Sequence, residues 1–263
     1  MTNEERILSQ GLQELRQREA DKKRLSAKTI GTITKNLART ILNVSEYDLT
    51  DKDEFYRHYD MIKGIGDAYM GREFSIFSVD DYNAKVIQFL LYYFNNCPLA
   101  ARVFPEENYQ LHKNLLICGN PGTGKTLLMQ IFSDYLKYTD NPNRFYNLSV
   151  TQMMNYYKMN GHIDRYTYNE TEGRGSLEGK PFNVCLNDIG LETENQKSYG
   201  TSLDTVIDEF LYARYEIYQS SYVRYHLTSN LGVKDFKMRF GERLVDRFKS
   251  FNVISLLGPS RRK

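Results

Sequence analysis

Polar and apolar positions change their period along the chain, from narrow helical stripes at the start to short apolar runs that alternate with helices. Ile7, Leu8, Leu12 and Leu15 form one stripe inside residues 3–25, a stretch dense in Glu, Gln, Arg and Lys. That is the pattern of an exposed amphipathic arm. Ile30, Ile33, Leu37 and Ile41 predict a second helix, and residues 54–68 a third before Gly71. These segments carry too few apolar residues for a core of their own. Either they pack on the domain that follows, or they present a helical face to a partner protein.

Over residues 74–81 the pattern shortens to apolar alternation, with Ser78 or Asp80 placed to cap a helix that runs to about Asn96. The larger domain is expected to start here, giving a helical region over 1–70 and a second domain over 71–263. Beyond it the spacing predicts strand 115–118, a helix from Thr126 to about Tyr138, strand 144–150 and helix 152–159. Strand 182–186, helix 203–219, strand 222–227, short helices within 234–250 and strand 252–257 complete the series. Buried strands alternating with helices predict an α/β fold, three αβα layers around a parallel sheet with right-handed crossovers, whose ligands sit at the carboxyl ends of the strands.

The chain has 263 residues, 41% hydrophobic and 26% charged, which is a globular composition with room for one sizeable core and a smaller appendage. No apolar run approaches the roughly 20 residues that cross a bilayer, and the opening MTNEERILSQ is too polar for a secretory signal. A cytoplasmic protein without membrane contact is expected. Cys97, Cys118 and Cys185 are odd in number and lack C-x-x-C spacing, so they read as reduced core residues. His58, His112, His162 and His226 are scattered, which gives a histidine metal site no support. The net charge is only +2, yet residues 224–263 hold ten Lys/Arg against three Asp/Glu. That basic tail suits nucleic acid, the triphosphate of a neighbouring subunit, or simple solvation.

Candidate chemistry begins at Gly119-Asn120-Pro121-Gly122-Thr123-Gly124-Lys125-Thr126, which fills the pattern G-x-x-x-x-G-K-[ST] between a predicted strand and a predicted helix. The glycines permit positive φ and close backbone approach, so that successive N–H groups turn toward phosphate oxygens at a helix N-terminus. Lys125 is expected on the β- and γ-phosphates and the Thr126 hydroxyl on Mg²⁺. A phosphate loop does not by itself name a reaction, so a second acidic motif must be found. Val206-Ile207-Asp208-Glu209 looks the part, but Leu203, Ile207, Phe210, Arg214 and Ile217 share one helical face, and the segment reads as helix. Val184-Cys185-Leu186-Asn187-Asp188-Ile189-Gly190 is the better candidate, an apolar strand ending in a polar pair and a glycine turn. Asp188 would then hold the metal or polarise the attacking water.

Thr228-Ser229-Asn230 follows another predicted strand, and either aims the Asn230 amide at the phosphates or forms an ordinary turn. Gly241-Glu242-Arg243-Leu244-Val245-Asp246-Arg247 places Arg243 and Arg247 on one helical face. They serve either in local ion pairs or as an arginine finger for an adjacent subunit, a group that contributes about 10³ to 10⁵ in rate. Tyr156, Tyr157, Lys158, Arg165 and Tyr166 mix aromatic and basic residues suited to single-stranded nucleic acid, with ordinary packing the alternative.

Taken in order, GNPGTGKT, LNDIGLETE, LTSN and GERLVDRF resemble the AAA+ ATPases of the DnaC-type helicase-loader group, and the IstB transposition helpers are similar. The resemblance covers residues 74–263. It implies a P-loop AAA+ domain without a C-terminal helical lid, with ATP and Mg²⁺ as cofactors. Residues 119–126 would be the Walker A loop, Asn187 and Asp188 the Walker B pair, and Asn230 the first sensor. Arg247 would be the arginine finger beside Arg243, and Arg262 or Arg261 the second sensor. It further implies self-association into a ring or spiral, single-stranded DNA along the central face, and a replicative helicase, or a transposase, gripped by the N-terminal helices. The family usually has Asp-Glu where this chain has Asn187-Asp188, so nucleotide binding with slow hydrolysis is expected, down to a scaffold without useful turnover. Asn187→Asp with Asp188→Glu is expected to raise turnover.

Overall fold

The computed structural model describes residues 14, 16–30, 47–170, 179–190, 197–198, 201–240 and 242–262. The chain divides into two compact units, Met1–Val44 and Ser45–Lys263. In the first, residues 16–30 form helix α1, which is exposed along its length, including Leu25 and Ile30. Ile7, Leu8, Leu12, Leu15, Ile33, Leu37 and Ile41, which defined the expected stripes, lie outside the described residues.

The second unit runs α2 (Lys52–Met70), α3 (Ala84–Phe94), α4 (Ala100–Val103), β1 (Asn114–Cys118), α5 (Lys125–Tyr138), β2 (Tyr146–Ser149) and α6 (Val150–Asn160). It continues with β3 (Val184–Ile189), β4 (Lys197–Ser198), β5 (Thr201–Ser202), α7 (Leu203–Ser221) and β6 (Tyr225–Ser229). The last elements are α8 (Val233–Arg239), α9 (Glu242–Arg247) and β7 (Phe251–Ser255). Five strands pair in the order β2-β3-β6-β1-β7, every pairing parallel, while β4 and β5 make a separate short antiparallel pair.

Alternation along β1 builds the three layers. Leu115 and Ile117 face a core filled by Ile62 of α2, Phe89 and Tyr93 of α3, and Met129 and Phe132 of α5. Leu116 and Cys118 face the opposite core, with Met153 of α6, Phe210 of α7 and Phe236 of α8. Each side chain of this inner strand is buried, worth about 1.5–3 kcal/mol for a leucine or isoleucine. The expected αβα parallel sheet is therefore present, and the cysteines 97, 118 and 185 are buried thiols, the last two in its strands.

Two sequence expectations change. The helix before Gly71 does not end a separate domain. Phe55 of α2 meets Tyr92 with ring centres 5.0 Å apart, and His58 Nδ1 is hydrogen bonded to the Tyr135 hydroxyl of α5 at 2.6 Å. The unit boundary accordingly falls between Val44 and Ser45 rather than at residue 70. Residues 74–81 form an irregular segment with Phe74 fully exposed, and the helix expected after Ser78 or Asp80 starts at Ala84 after a turn. Asp80 is not the N-cap of that helix, which is Asn83; its carboxylate instead accepts from Tyr82 N at 3.0 Å within the preceding turn and from Arg261.

Candidate functional site

The loop after β1 is shaped by its glycines. Gly122 and Gly124 have φ of +84° and +97°, in the left-handed region that residues with a Cβ disfavour. A Cβ at Gly119 would lie 2.1 Å from the Leu256 carbonyl oxygen, and one at Gly122 would lie 2.3 Å from Ser260 Oγ. Gly124 is the N-cap of α5 and offers no side chain to the first-turn N–H groups. Those donors and the positive helix end therefore face the loop, as an anion site requires. Thr123 Oγ1 donates to the Asn120 carbonyl at 3.0 Å and braces the bend.

Lys125 is 3% exposed. Its ammonium donates to Gly119 O at 2.7 Å, Asn120 O at 2.9 Å and Asn230 Oδ1 at 2.7 Å, which engages all three of its hydrogens. Burial lowers its pKa, the Asp188 charge opposes that shift, and the nearby Arg262 charge adds to it.

Asp188 reaches the loop because the backbone twists beneath it. The β3–β6 register shifts between Leu186 and Ile189, and Asp188 itself has φ +65°. Its N–H donates to Thr228 Oγ1 at 3.0 Å. The carboxylate oxygens then sit 3.4 Å from Thr126 Oγ1, and Asn230 Nδ2 faces one of them at 3.4 Å. A hydroxyl and a carboxylate converging beside a phosphate cradle are a hard-oxygen donor set that suits Mg²⁺.

Asn187 does not join them, which corrects its expected place at the metal. It is buried, with its amide donating to Asn147 Oδ1 at 2.5 Å and Leu148 O at 3.1 Å, and its oxygen accepting from Thr228 Oγ1 at 3.1 Å. The irregularity after Leu186 breaks the two-residue alternation of the strand, and Asp188 rather than Asn187 turns toward the loop. The alternative acidic pair, Asp208-Glu209, lies within α7, as its helical spacing predicted.

A cavity of about 430 Å³ opens over these groups, lined by residues 122–128, Asp188, Asn230, Arg261 and Arg262, with Met70, residues 75–78 and Leu256 as its further wall. Its size is within the range of small-molecule sites. The chain after β7 returns to close one side. Arg261 N donates to Gly122 O at 2.8 Å, and the Arg261 guanidinium meets both Asp80 oxygens at 2.8 Å. Arg262 lines the cavity without that pairing partner.

Arg247 is not among the residues lining it. Its guanidinium lies 4.2 Å and 4.7 Å from the ring centres of Tyr212 and Tyr215 in α7, and Nη1 is buried with no hydrogen-bond partner among the described residues. Arg243 is on the same helix, with its side chain outside the described part of the structure. In the proposed nucleic-acid patch, Tyr157 and Tyr166 are buried in the core beside α6, whereas Lys158 and Arg165 are exposed. Beneath that segment, the fully buried Arg214 donates to Tyr166 O and Phe182 O at 2.7 Å and 2.8 Å, its pKa pushed down to about 9 by burial.

Sequence reasoning missed three contributors: the wall at 75–78, Thr228 as the brace of the β3 twist, and Asp80 as the anchor of Arg261. The polar Thr228-Ser229 ending an apolar strand was a usable signal; the Asp80–Arg261 pairing, across most of the chain, had none.

No family model matches this chain, and no curated protein matches it. Domain III of the Thermotoga maritima replication initiation protein DnaA superposes with a TM-score of 0.45 at 18% identity, over 69% of this chain and 65% of that one. The DnaC helicase loader gives 0.40 at 20% identity, over 63% of this chain and 89% of that one. AMPPCP-bound DnaA from Aquifex aeolicus gives 0.42 at 16% identity, over 68% and 48%. The chain thus spans less than two thirds of the first and less than half of the third. At TM-scores of 0.45 or lower and identities of 20% or lower, these likenesses carry no functional argument. Among the described residues, no helix is long and apolar enough to cross a membrane.

Proposed function

We propose that this chain is a Mg²⁺-dependent ATPase of the AAA+ type that works as a DnaC-like loader of a replicative helicase onto single-stranded DNA. The observation that carries the ATP-binding step is the convergence of the glycine cradle, Lys125, Thr126, Asp188 and Asn230 on one cavity. When bound, Mg²⁺ would neutralise phosphate charge, held by Thr126 and Asp188. Lys125 and the loop N–H groups bind the phosphates, Asn230 orients Lys125, and Asp188 accepts a proton from water. One carboxylate serving both metal and water supports slow turnover, the behaviour of a switch more than a motor. Self-association with Arg247 acting across subunits belongs to this reading through the motif resemblance, and requires Arg247 to leave Tyr212 and Tyr215.

The loading role rests on the motif order in the sequence, and on α1, whose Leu25 and Ile30 are open to a partner. Calorimetry with Mg-ATP and hydrolysis assays with and without single-stranded DNA, beside Lys125→Ala, test the nucleotide step. Binding without hydrolysis above the Lys125→Ala background would make the chain a scaffold. Capture of a helicase by the full chain, lost on deleting residues 1–44, supports loading; capture of a transposase instead would move it to the IstB-like role.

A further inference from the structure

Two surfaces that are distant in sequence close on the phosphate loop. The segment after β7 comes back over Gly122, whose carbonyl accepts from Arg261 N at 2.8 Å and whose α-carbon is so near Ser260 that a Cβ would meet its Oγ at 2.3 Å. Gly258 takes φ +128° against Tyr82, leaving 3.0 Å between a Cβ there and the ring. The strap is pinned at the far side by Asp80, which receives both 2.8 Å bonds from Arg261. Both bonds come from Nη2, while Nη1 reaches Ser78 O at 3.4 Å, so the guanidinium is held between two points of the 78–80 segment. Arg261 is thus consumed in a structural bond, and the next residue, Arg262, is delivered into the cavity that holds Lys125 and Asp188.

We propose that Asp80 is a positioning residue of the nucleotide site: by clasping Arg261 it holds residues 256–262 across the phosphate loop and sets Arg262 against the terminal phosphate of a nucleoside triphosphate. This rests on the nucleotide reading above. Three features support it. The clasp is tied to the loop itself through Gly122. Arg262 lines the same cavity as Lys125, so an anionic phosphate bound there would lie among both cations. Asp80 is held ionised by Arg261, its carboxyl pushed below the usual range. The clasp discriminates by phosphate number, because the strap adds one cation to a cradle that already serves a diphosphate through Lys125 and the loop amides.

The test compares Mg-ATP and Mg-ADP affinity by calorimetry for the full chain, Asp80→Asn, Arg262→Ala, their double mutant and Lys125→Ala, with thermal unfolding recorded for each. Asp80→Asn and Arg262→Ala are expected to weaken ATP about tenfold while leaving ADP within about twofold. The double mutant is expected to be no weaker than either single change, since both remove one interaction. Exchanging the charges, Asp80→Arg with Arg261→Asp, is expected to restore the preference for ATP. An unchanged ATP-to-ADP ratio in Asp80→Asn, or additive losses in the double mutant, overturns the clasp while the nucleotide reading stands. A full chain that binds neither nucleotide overturns both.

Discussion

The Lys125 ammonium donates to Asn230 Oδ1 at 2.7 Å while the other end of the same amide faces Asp188 at 3.4 Å. One side chain at the end of β6 thereby spans the cation and the carboxylate of the site. Asn230→Ala should leave Mg-ATP affinity within about threefold and lower steady-state hydrolysis about 10²-fold, the scale of losing one oriented polar group. Calorimetry and a phosphate-release assay read the two quantities separately. An unaltered rate would return Asn230 to the role of a turn residue.

Asn187→Asp, expected from motif comparison to help turnover, should instead destabilise the fold. Its amide hydrogens bond two oxygens, Asn147 Oδ1 and Leu148 O, and a carboxylate would set a buried charge against both. A cost of about 3 kcal/mol follows from an uncompensated buried charge, lowering the thermal midpoint by roughly 6–12 °C in a domain of this size. A midpoint within a degree of the parent would refute the assignment.

Gly119→Ala should remove nucleotide binding while leaving the sheet folded. The added methyl meets the Leu256 carbonyl at 2.1 Å, a backbone atom that cannot swing aside, so the loop must shift. Loss of calorimetric heat together with a native circular dichroism spectrum is the expected pair of results.

Stability should fall as the solution becomes acidic. His226 is fully buried, and burial, with the Arg224 charge second, holds its pKa well below 6.5. The unfolded chain therefore takes up a proton near pH 6.5 that the folded chain refuses. Stability is complete above about pH 6.5 and declines below it, down to the depressed folded value, by about 1.4 kcal/mol per pH unit for each such group. His58, lowered mainly by burial and partly restored by Glu54, acts in the same sense. Urea titrations at pH 7.5 and 5.5 measure the slope; His226→Gln should roughly halve it, and an identical slope would acquit His226.

Arg247→Ala should cost about 1–2 kcal/mol of stability, since the guanidinium lies over the rings of Tyr212 and Tyr215. Mixing it with Lys125→Ala tests the subunit-crossing role: hydrolysis that recovers in the mixture, though absent from each variant alone, is expected of an arginine acting on a neighbour. No recovery confines it to its own chain.

The sheet was legible because buried parallel strands are short apolar runs, and each predicted strand lies within a few residues of its place. The loop was legible because its chemistry admits few residue types at fixed spacing. The tilt of Asp188 away from Asn187 was not, since a register shift depends on how β6 pairs. Nor was the fate of α2, whose face looked sparse in apolar residues yet docks through Phe55, His58 and Tyr69, the last bonded to Asp134. Ring faces and the polar atoms on His58, Tyr69 and Tyr135 do much of the joining there beside Ile62, which a count of aliphatic residues overlooks.

The positive φ of Asp188 also narrows which amino acids can stand there. Aspartate, asparagine and glycine enter left-handed backbone readily, while longer or branched residues resist it. Asp188→Glu, however favourable its extra methylene for touching water, would sit in a conformation it disfavours. The length of the acid is then a matter of which side chain the bend tolerates before it is a matter of reactivity.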